Sequence, residues 1–290
     1  MLTRQALPVA KNLLLAAGLG EAEREARLIC AYLCGAEPGQ LALFLEQDIG
    51  EAPLASLLAR RIAGEPLQYV LGEAGFMGLT FAVGPGVLIP RADTEILVEK
   101  AISLLKDFKA PLIADIGTGS GAIAVSLAKH LPQSVVYGVD ISPDALLWAK
   151  KNALLNGIGN RCRFYVGDLL APFVALDLRF DLIISNPPYI TVAEMEQLSA
   201  DVLREPSLAL CGGTDGLDFY PSLARQAAPL LRPGGYLLLE HGWRQQRQVE
   251  LLLEQEGWQV AERLRDLGGR DRGIVANPPV TSGRSFPALN

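Results

Sequence analysis

Leu112-Ile113-Ala114-Asp115-Ile116-Gly117-Thr118-Gly119-Ser120-Gly121-Ala122-Ile123-Ala124 decides how the larger part of this chain is read. A short apolar run ends in a carboxylate. Three alternating glycines then give a tight turn, and Ala/Ile/Val/Leu spacing takes up a helical period through His130. That is strand, turn, helix: the opening of a βαβ unit. Downstream the alternation continues, with strands expected at 135–140, 163–166 and 180–185 and helices at 122–130 and 143–156. A helix at 217–231 is expected to end at Pro233-Gly234-Gly235, followed by a strand at 236–240 and a helix at 244–256. The last two strands, 259–265 and 273–276, have no helix between them and should form an antiparallel edge hairpin. With 112–115 this makes an α/β fold around a seven-stranded, mostly parallel sheet covered by helices.

Upstream, helix 94–105 starts at a cap expected to be Asp93 or Thr94. Residues 74–90, with Phe76, Leu79, Phe81, Val83 and Val87 split by Gly75, Gly78, Gly84 and Gly86, read as a β-hairpin linker. Residues 1–73 carry Leu, Ala and Ile at three- and four-residue spacing, broken by Gly18, Gly20, Gly35, Pro38 and Pro53, and are expected to form a small helical bundle. The expected organisation is thus a bundle at 1–73, a hairpin linker at 74–90, an α/β domain at 91–277 and a disordered Pro/Ser/Gly-rich tail at 278–290.

Composition narrows the function. Of 290 residues, 50% are apolar and 20% charged, which is globular. No apolar run reaches the ~18–20 residues of a membrane span. The net charge of −6 argues against stable nucleic-acid binding, which calls for a basic surplus. Cys30, Cys34, Cys162 and Cys211 and the two histidines show no metal-ligand spacing, so no metal is expected, and reduced thiols fit the cytoplasm.

In an open parallel sheet, ligands gather at the carboxyl ends of the strands. There the sequence offers Asp115 with the 117–121 loop, Asp140, Gly167-Asp168-Leu169, and Asn186-Pro187-Pro188-Tyr189. The Gly117-x-Gly119-x-x-Ala122 spacing also satisfies the dinucleotide fingerprint, and Asp140 would suit its ribose. Asp115 shifts the balance, because a carboxylate just before the loop repels a pyrophosphate and attracts a cation. S-adenosylmethionine has that polarity: cationic amino-acid end and sulfonium, ribose diol, no phosphate. Asp140 is then expected on the ribose hydroxyls and Asp168 on the adenine amino group.

Two consecutive prolines cannot sit inside a sheet, so they stiffen the chain as it leaves the fourth strand. The Asn186 side-chain oxygen and the Pro187 carbonyl become fixed acceptors for the two hydrogens of a planar –NH2 group, and Tyr189 offers a face for stacking. The residues alone reach a planar –NH2 methyl acceptor. A nucleic-acid amino methyltransferase acting on adenine N6 or guanine N2 stays open as the alternative.

The chain resembles the protein-(glutamine-N5) methyltransferases of the PrmC/HemK family. The resemblance rests on Gly64-Glu65-Pro66-Leu67-Gln68-Tyr69, Phe76-Met77-Gly78, Pro90-Arg91-Ala92-Asp93-Thr94-Glu95, the glycine loop and Asn186-Pro187-Pro188-Tyr189-Ile190. It continues through Glu205-Pro206, the Gly212-Gly213 to Leu217 stretch and Glu240-His241-Gly242. It implies a Rossmann-like methyltransferase domain, S-adenosylmethionine as cofactor, and the Gly-Gly-Gln glutamine of class 1 peptide-chain release factors as substrate. By resemblance, Asp115, Gly117, Thr118, Gly119, Ser120, Gly121, Asp140, Asp168, Leu169 and Asn186 hold the cofactor. Asn186, Pro187, Pro188, Tyr189 and Arg91 hold the substrate, with Asn186, Pro187 and Tyr189 catalytic. The bundle helps grip the release factor, Arg91 and Glu95 order a lid, and a monomer is expected.

Overall fold

The computed structural model describes residues 1–279. Its chain divides into two units: Met1–Glu73 with Val83–Pro85 and Ser199–Arg204, and Ala74–Ala82 with Gly86–Leu198 and the chain from Glu205 onward. The expected disorder of 278–290 falls, apart from Pro278 and Pro279, outside the described residues.

The first unit holds α1 (Thr3–Ala16), α2 (Ala22–Cys34), α3 (Glu51–Ile62) and α4 (Leu67–Leu71). Helix α1 begins upstream of the Leu13 apolar run because its buried face is mostly alanine, Ala6 and Ala10 lying one turn apart above Leu14. Ala26, Ile29 and Cys30 of α2 and Leu54 and Leu58 of α3 close this core. Inside it, Arg61 grips Glu25 through two parallel bonds, Nε to Oε2 at 2.8 Å and Nη2 to Oε1 at 2.9 Å. Removing one partner of such a buried pair costs roughly 3–5 kcal/mol, because the other is left charged and unpaired.

The second unit opens with a hairpin, β1 (Glu73–Phe76) and β2 (Leu79–Ala82). Met77 (φ 51°) and Gly78 (φ 70°) both take the left-handed region, which a two-residue turn between twisted strands favours. Expected as a linker, the hairpin instead clusters with the second unit. Asn152 fixes it there, accepting from Ala82 N at 2.7 Å and donating to Ala82 O at 3.0 Å and Ser120 O at 2.9 Å.

Strands β3 (Leu112–Ile116), β4 (Val135–Asp140), β5 (Cys162–Val166), β6 (Phe180–Ser185), β7 (Leu231–Glu240), β8 (Gln259–Arg265) and β9 (Asp271–Asn277) form one sheet in the order β5-β4-β3-β6-β7-β9-β8. The first five in that order are parallel, whereas β9 runs antiparallel to both β7 and β8. Helices α5 (Glu95–Leu105), α6 (Ala122–His130), α7 (Pro143–Leu155), α8 (Ala171–Ala175), α9 (Val192–Met195), α10 (Tyr220–Ala227) and α11 (Gln246–Gln255) connect them. All six residues of β6 are buried, Phe180 and Leu182–Ile184 as apolar core and Asp181 with its carboxylate bonded by Leu112 N and Arg232.

One boundary differs from expectation. The helix expected over 217–231 is only Tyr220–Ala227, and β7 already starts at Leu231. Its pairing jumps from Phe180↔Leu231 to Leu182↔Tyr236, so a bulge absorbs Pro233-Gly234-Gly235 inside the strand. No helix among the described residues is long and apolar enough to cross a membrane.

Candidate active site

The sheet reverses its strand order at β3, whose neighbours are β4 and β6, and a cleft lies at the carboxyl ends of these strands. Gly117, Thr118, Gly119, Ser120, Asp140, Asp168, Leu169, Asn186, Pro187, Pro188 and Arg91 all line it. Asp115, Gly121 and Tyr189 do not, and each of the three does something else.

Asp115 is buried beneath the loop it precedes. Its Oδ2 accepts from Thr118 Oγ1 at 2.6 Å and Ala124 N at 3.1 Å, so it braces the turn and caps α6, while Oδ1 has no hydrogen-bond partner. Burial pushes this carboxyl up to about 7, against those two hydrogen bonds and with Asp140 adding to the rise. Gly121 serves packing, since a Cβ there would stand 3.1 Å from Ala149 Cα on α7. Gly117 has open space at the same position, and Gly119 meets nothing nearer than Val87 at 3.9 Å and Gly117 O at 4.0 Å. The loop is therefore open where it faces the cleft and tight where it meets α7.

Asp140 is held by the same loop. Its Oδ2 accepts from Gly119 N at 2.8 Å and its Oδ1 from Ser142 N at 2.9 Å. Burial raises its proton affinity, and the amides of Ser142 and Gly119 work against the rise. Leu169, at φ 47°, turns the chain beside Asp168 and brings an apolar side chain to the cleft wall.

The Asn186 carboxamide is oriented. Its Nδ2 donates to Thr94 Oγ1 at 3.0 Å, and no hydrogen bond to Oδ1 forms among the described residues. Thr94 was expected as a helix cap. It makes no side-chain cap bond, and its hydroxyl faces Asn186 instead. Pro187 is buried, and the loop beyond it is locked from two sides. Ile190 N donates to Leu210 O at 3.0 Å and Gly212 N to Ile190 O at 2.8 Å, while Gln245 Nε2 donates to Tyr189 O at 3.0 Å. The Tyr189 ring packs against the sheet core and its hydroxyl donates to Glu240 Oε1 at 3.3 Å. Stacking on a guest is thus not what this ring does in the structure. Phe76 and Phe219, which sequence reading did not place here, are the aromatic residues of the wall.

Arg91 is the one basic residue lining the cleft among the described residues, and Glu205 pairs with it while also accepting from Ile89 N at 2.9 Å. Glu95 Oε1 takes the Met77 amide at 2.6 Å, fixing the hairpin turn. A cleft with Asp140 and Asp168 and a single, already paired cation suits a phosphate-free, positively charged guest.

Residues 109–266 match the family model described as "Methyltransferase domain", and residues 5–72 match "PrmC N-terminal domain". The release factor glutamine methyltransferase of Moorella thermoacetica is 45% identical over 280 residues, covering 95% of this chain and 98% of that protein. Its counterpart from Streptomyces coelicolor is 41% identical over 264 residues, covering 90% and 92%. The chain belongs to the release factor glutamine methyltransferase family. The enzyme's fold is also that of a ribosomal protein L11 methylase from Lactobacillus delbrueckii subsp. bulgaricus, at TM-score 0.51 and 24% identity over 68% of this chain and 84% of the other.

The cofactor is S-adenosylmethionine. The residues present fit it: an open glycine turn, a carboxylate anchored by loop amides at the end of β4, and, among the described residues, no unpaired cation in the lining that would call for phosphate.

Proposed function

We propose that the enzyme methylates the side-chain nitrogen (N5) of the glutamine in the Gly-Gly-Gln motif of class 1 peptide-chain release factors. The observation that carries this reading is the Asn186 carboxamide, whose NH2 end is committed to Thr94 and whose oxygen remains an acceptor on a cleft wall. Family membership supplies the substrate class, since the curated relatives are named for it.

When bound, S-adenosylmethionine supplies a methyl group on a positively charged sulfur, open to displacement by a nitrogen lone pair. The residues assigned to hold it are Gly117, Thr118, Gly119 and Ser120 of the loop, Asp140 for the ribose diol, and Asp168 and Leu169 for the adenine. Asn186 Oδ1 and the Pro187 carbonyl accept the two hydrogens of the substrate amide. An amide nitrogen is a poor nucleophile because its lone pair is delocalised, so alignment is the main contribution a protein can make. These acceptors strengthen as positive charge builds on nitrogen, which stabilises the transition state more than the ground state. No imidazole or amine lines the cleft among the described residues, so no side chain of that kind is assigned as the base. Arg91, held by Glu205, and the hairpin turn, held by Glu95, frame the substrate side.

The first unit is assigned to docking the release factor. It exposes Val9, Leu13 and Leu15 on α1 and Leu43 beyond it, apolar surface beyond the needs of its own core.

Mass spectrometry of a release factor incubated with enzyme and S-adenosylmethionine tests the reading. One added methyl on the Gly-Gly-Gln peptide is expected. Methyl label entering adenine or guanine, with none in the protein, overturns it in favour of the nucleic-acid alternative.

A further inference from the structure

Glu240 ends β7 fully buried, and the chemistry described so far does not use it. Its Oε1 accepts from the Tyr189 hydroxyl at 3.3 Å, while Oε2 closes no hydrogen bond in this conformation. The Thr94 hydroxyl lies near enough to stabilise the charged form of the carboxyl. The oxygen of that hydroxyl already accepts from Asn186 Nδ2. Its own proton therefore needs an acceptor, and the orphaned carboxylate oxygen needs a donor. A hydrogen bond from the Thr94 hydroxyl to Glu240 would complete both groups and give one directional chain: Asn186 N–H to Thr94 oxygen, Thr94 O–H to Glu240 carboxylate.

We propose that Glu240 is a positioning residue of the clamp: through the Thr94 hydroxyl it fixes which end of the Asn186 carboxamide faces the cleft, and through Tyr189 it anchors the far end of the same tetrapeptide. The inference rests on the reading of Asn186 as acceptor for the substrate amide. A carboxylate can only accept, so Thr94 must donate to it and must take its own hydrogen bond from Asn186 Nδ2. A protonated Glu240 reverses the chain. It donates to the Thr94 oxygen, the Thr94 proton is freed for Asn186 Oδ1, and the amide turns its NH2 end into the cleft, where it repels the substrate –NH2.

The surroundings put this reversal within reach of ordinary conditions. Burial pushes Glu240 up to about 7, against the Thr94 hydroxyl, the Arg272 charge and the Tyr189 hydroxyl, with Asp93 adding to the rise. From β9, Arg272 is itself tied to Asp93 Oδ2 at 2.9 Å and Asp266 Oδ2 at 3.0 Å. From α10, the Tyr220 hydroxyl donates to the main-chain oxygen of Glu240 at 2.9 Å. His241, next in the chain, is held below its ordinary value by burial, away from this range.

The test reads the carboxamide directly. In enzyme labelled with 15N-asparagine, the Asn186 side-chain resonance, assigned by its loss in N186D, should shift with pH around a midpoint near 7. It should be flat in E240Q and in T94V. Single-turnover methylation of a glutamine peptide should rise with pH through the same midpoint and fall ~10- to 100-fold in E240Q, with S-adenosylmethionine affinity by calorimetry unchanged. T94V should lose a similar factor, and T94V/E240Q no more than the worse single variant, because both cut one chain. A transition that persists in E240Q belongs to another group and overturns the proposal. So does an Asn186 resonance that neither pH nor E240Q moves, or a double variant whose losses multiply. If the resonance behaves as expected and no glutamine is methylated, the substrate reading fails while the positioning role stands.

Discussion

At the residue scale, the clamp separates groups that touch the guest from groups that hold those groups. Asn186 faces the cleft, whereas Tyr189 sits behind it. Asn186→Ala should therefore lose at least ~100-fold in turnover through missing transition-state hydrogen bonds, far more than it loses in cofactor affinity. Single-turnover kinetics beside calorimetry checks this, and unchanged turnover removes Asn186 from the chemistry. Asn186, Asp140 and Asp168 line the cleft because strand ends are fixed by the apolar runs before them. Asp115, expected to face the same guest, lies under the loop, and period-two alternation gives the reason: a strand-end side chain points to one face or the other, and a one-residue difference in where the turn begins sends it there. Thr94 was read as a cap because Ser, Thr, Asp and Asn at helix starts usually are. Only the tertiary approach of Asn186 reveals its other task.

Asp115 carries a pH signature of its own. Its folded-state value of about 7 lies above the ordinary carboxylate range, as does that of Glu240. The native state thus holds protons that the unfolded chain releases, and these two groups favour folding at low pH and lose that contribution as pH rises through about 7. His241, held low by burial, acts in the opposite sense below its ordinary value of 6.5. Above that point the carboxyls dominate, so the melting temperature of the cofactor-free enzyme should fall from pH 6.5 to pH 8. The fall should be smaller in Asp115→Asn. Calorimetric or fluorescence melts across that window decide it, and a rise with pH contradicts the assignment.

At the scale of elements, the site depends on a loop that passes over the tetrapeptide with no room to spare. A Cβ on Gly212 would stand 2.6 Å from Pro188 O, and one on Gly216, which sits at φ +75°, 2.3 Å from Tyr189 O. Gln245 holds the same crossing together, its Oε1 accepting from Gly242 N at 2.8 Å while Nε2 reaches Tyr189 O. Gly216→Ala should therefore displace the clamp and lower turnover ~10-fold or more while the cofactor still binds, because the nucleotide wall belongs to other strands. Isothermal titration with parallel turnover measurements tests this, and equal losses in both would place the damage in the whole fold. The parallel strands were legible because each is a short, largely apolar stretch alternating with a helical period. The 205–219 crossing was not legible from periodicity, since glycines, a proline and short 3₁₀ turns carry no period. The start of β7 was missed for a related reason: Pro-Gly-Gly reads as a turn, and only pairing with β6 turns it into a bulge.

At the scale of the whole molecule, the chain leaves the catalytic unit after the clamp and contributes Ser199–Arg204 to the helical unit before returning at Glu205. Within the helical unit this segment is bonded in: Arg204 Nη2 donates to Ala63 O at 2.8 Å, and Arg61 lies 3.7 Å from Asp201. The backbone that follows the clamp, through Ile190 and α9, therefore runs on in sequence into the unit assigned to docking. Deleting residues 1–73 would strand that segment, so the docking role is better tested on the intact protein. Leu13 and Leu43 are exposed, Leu43 at 81%, and neither belongs to the bundle core, so Leu13→Glu with Leu43→Glu should leave the fold intact. A charge on an apolar docking face costs affinity for a partner that covers it and nothing for one too small to reach it. The double variant should raise KM for a folded release factor ~10-fold or more and leave KM for a short Gly-Gly-Gln peptide as it was. Steady-state kinetics on both substrates reads the difference. If the two KM values move together, or neither moves, recognition lies elsewhere, and the helical unit serves to brace the segment that follows the clamp.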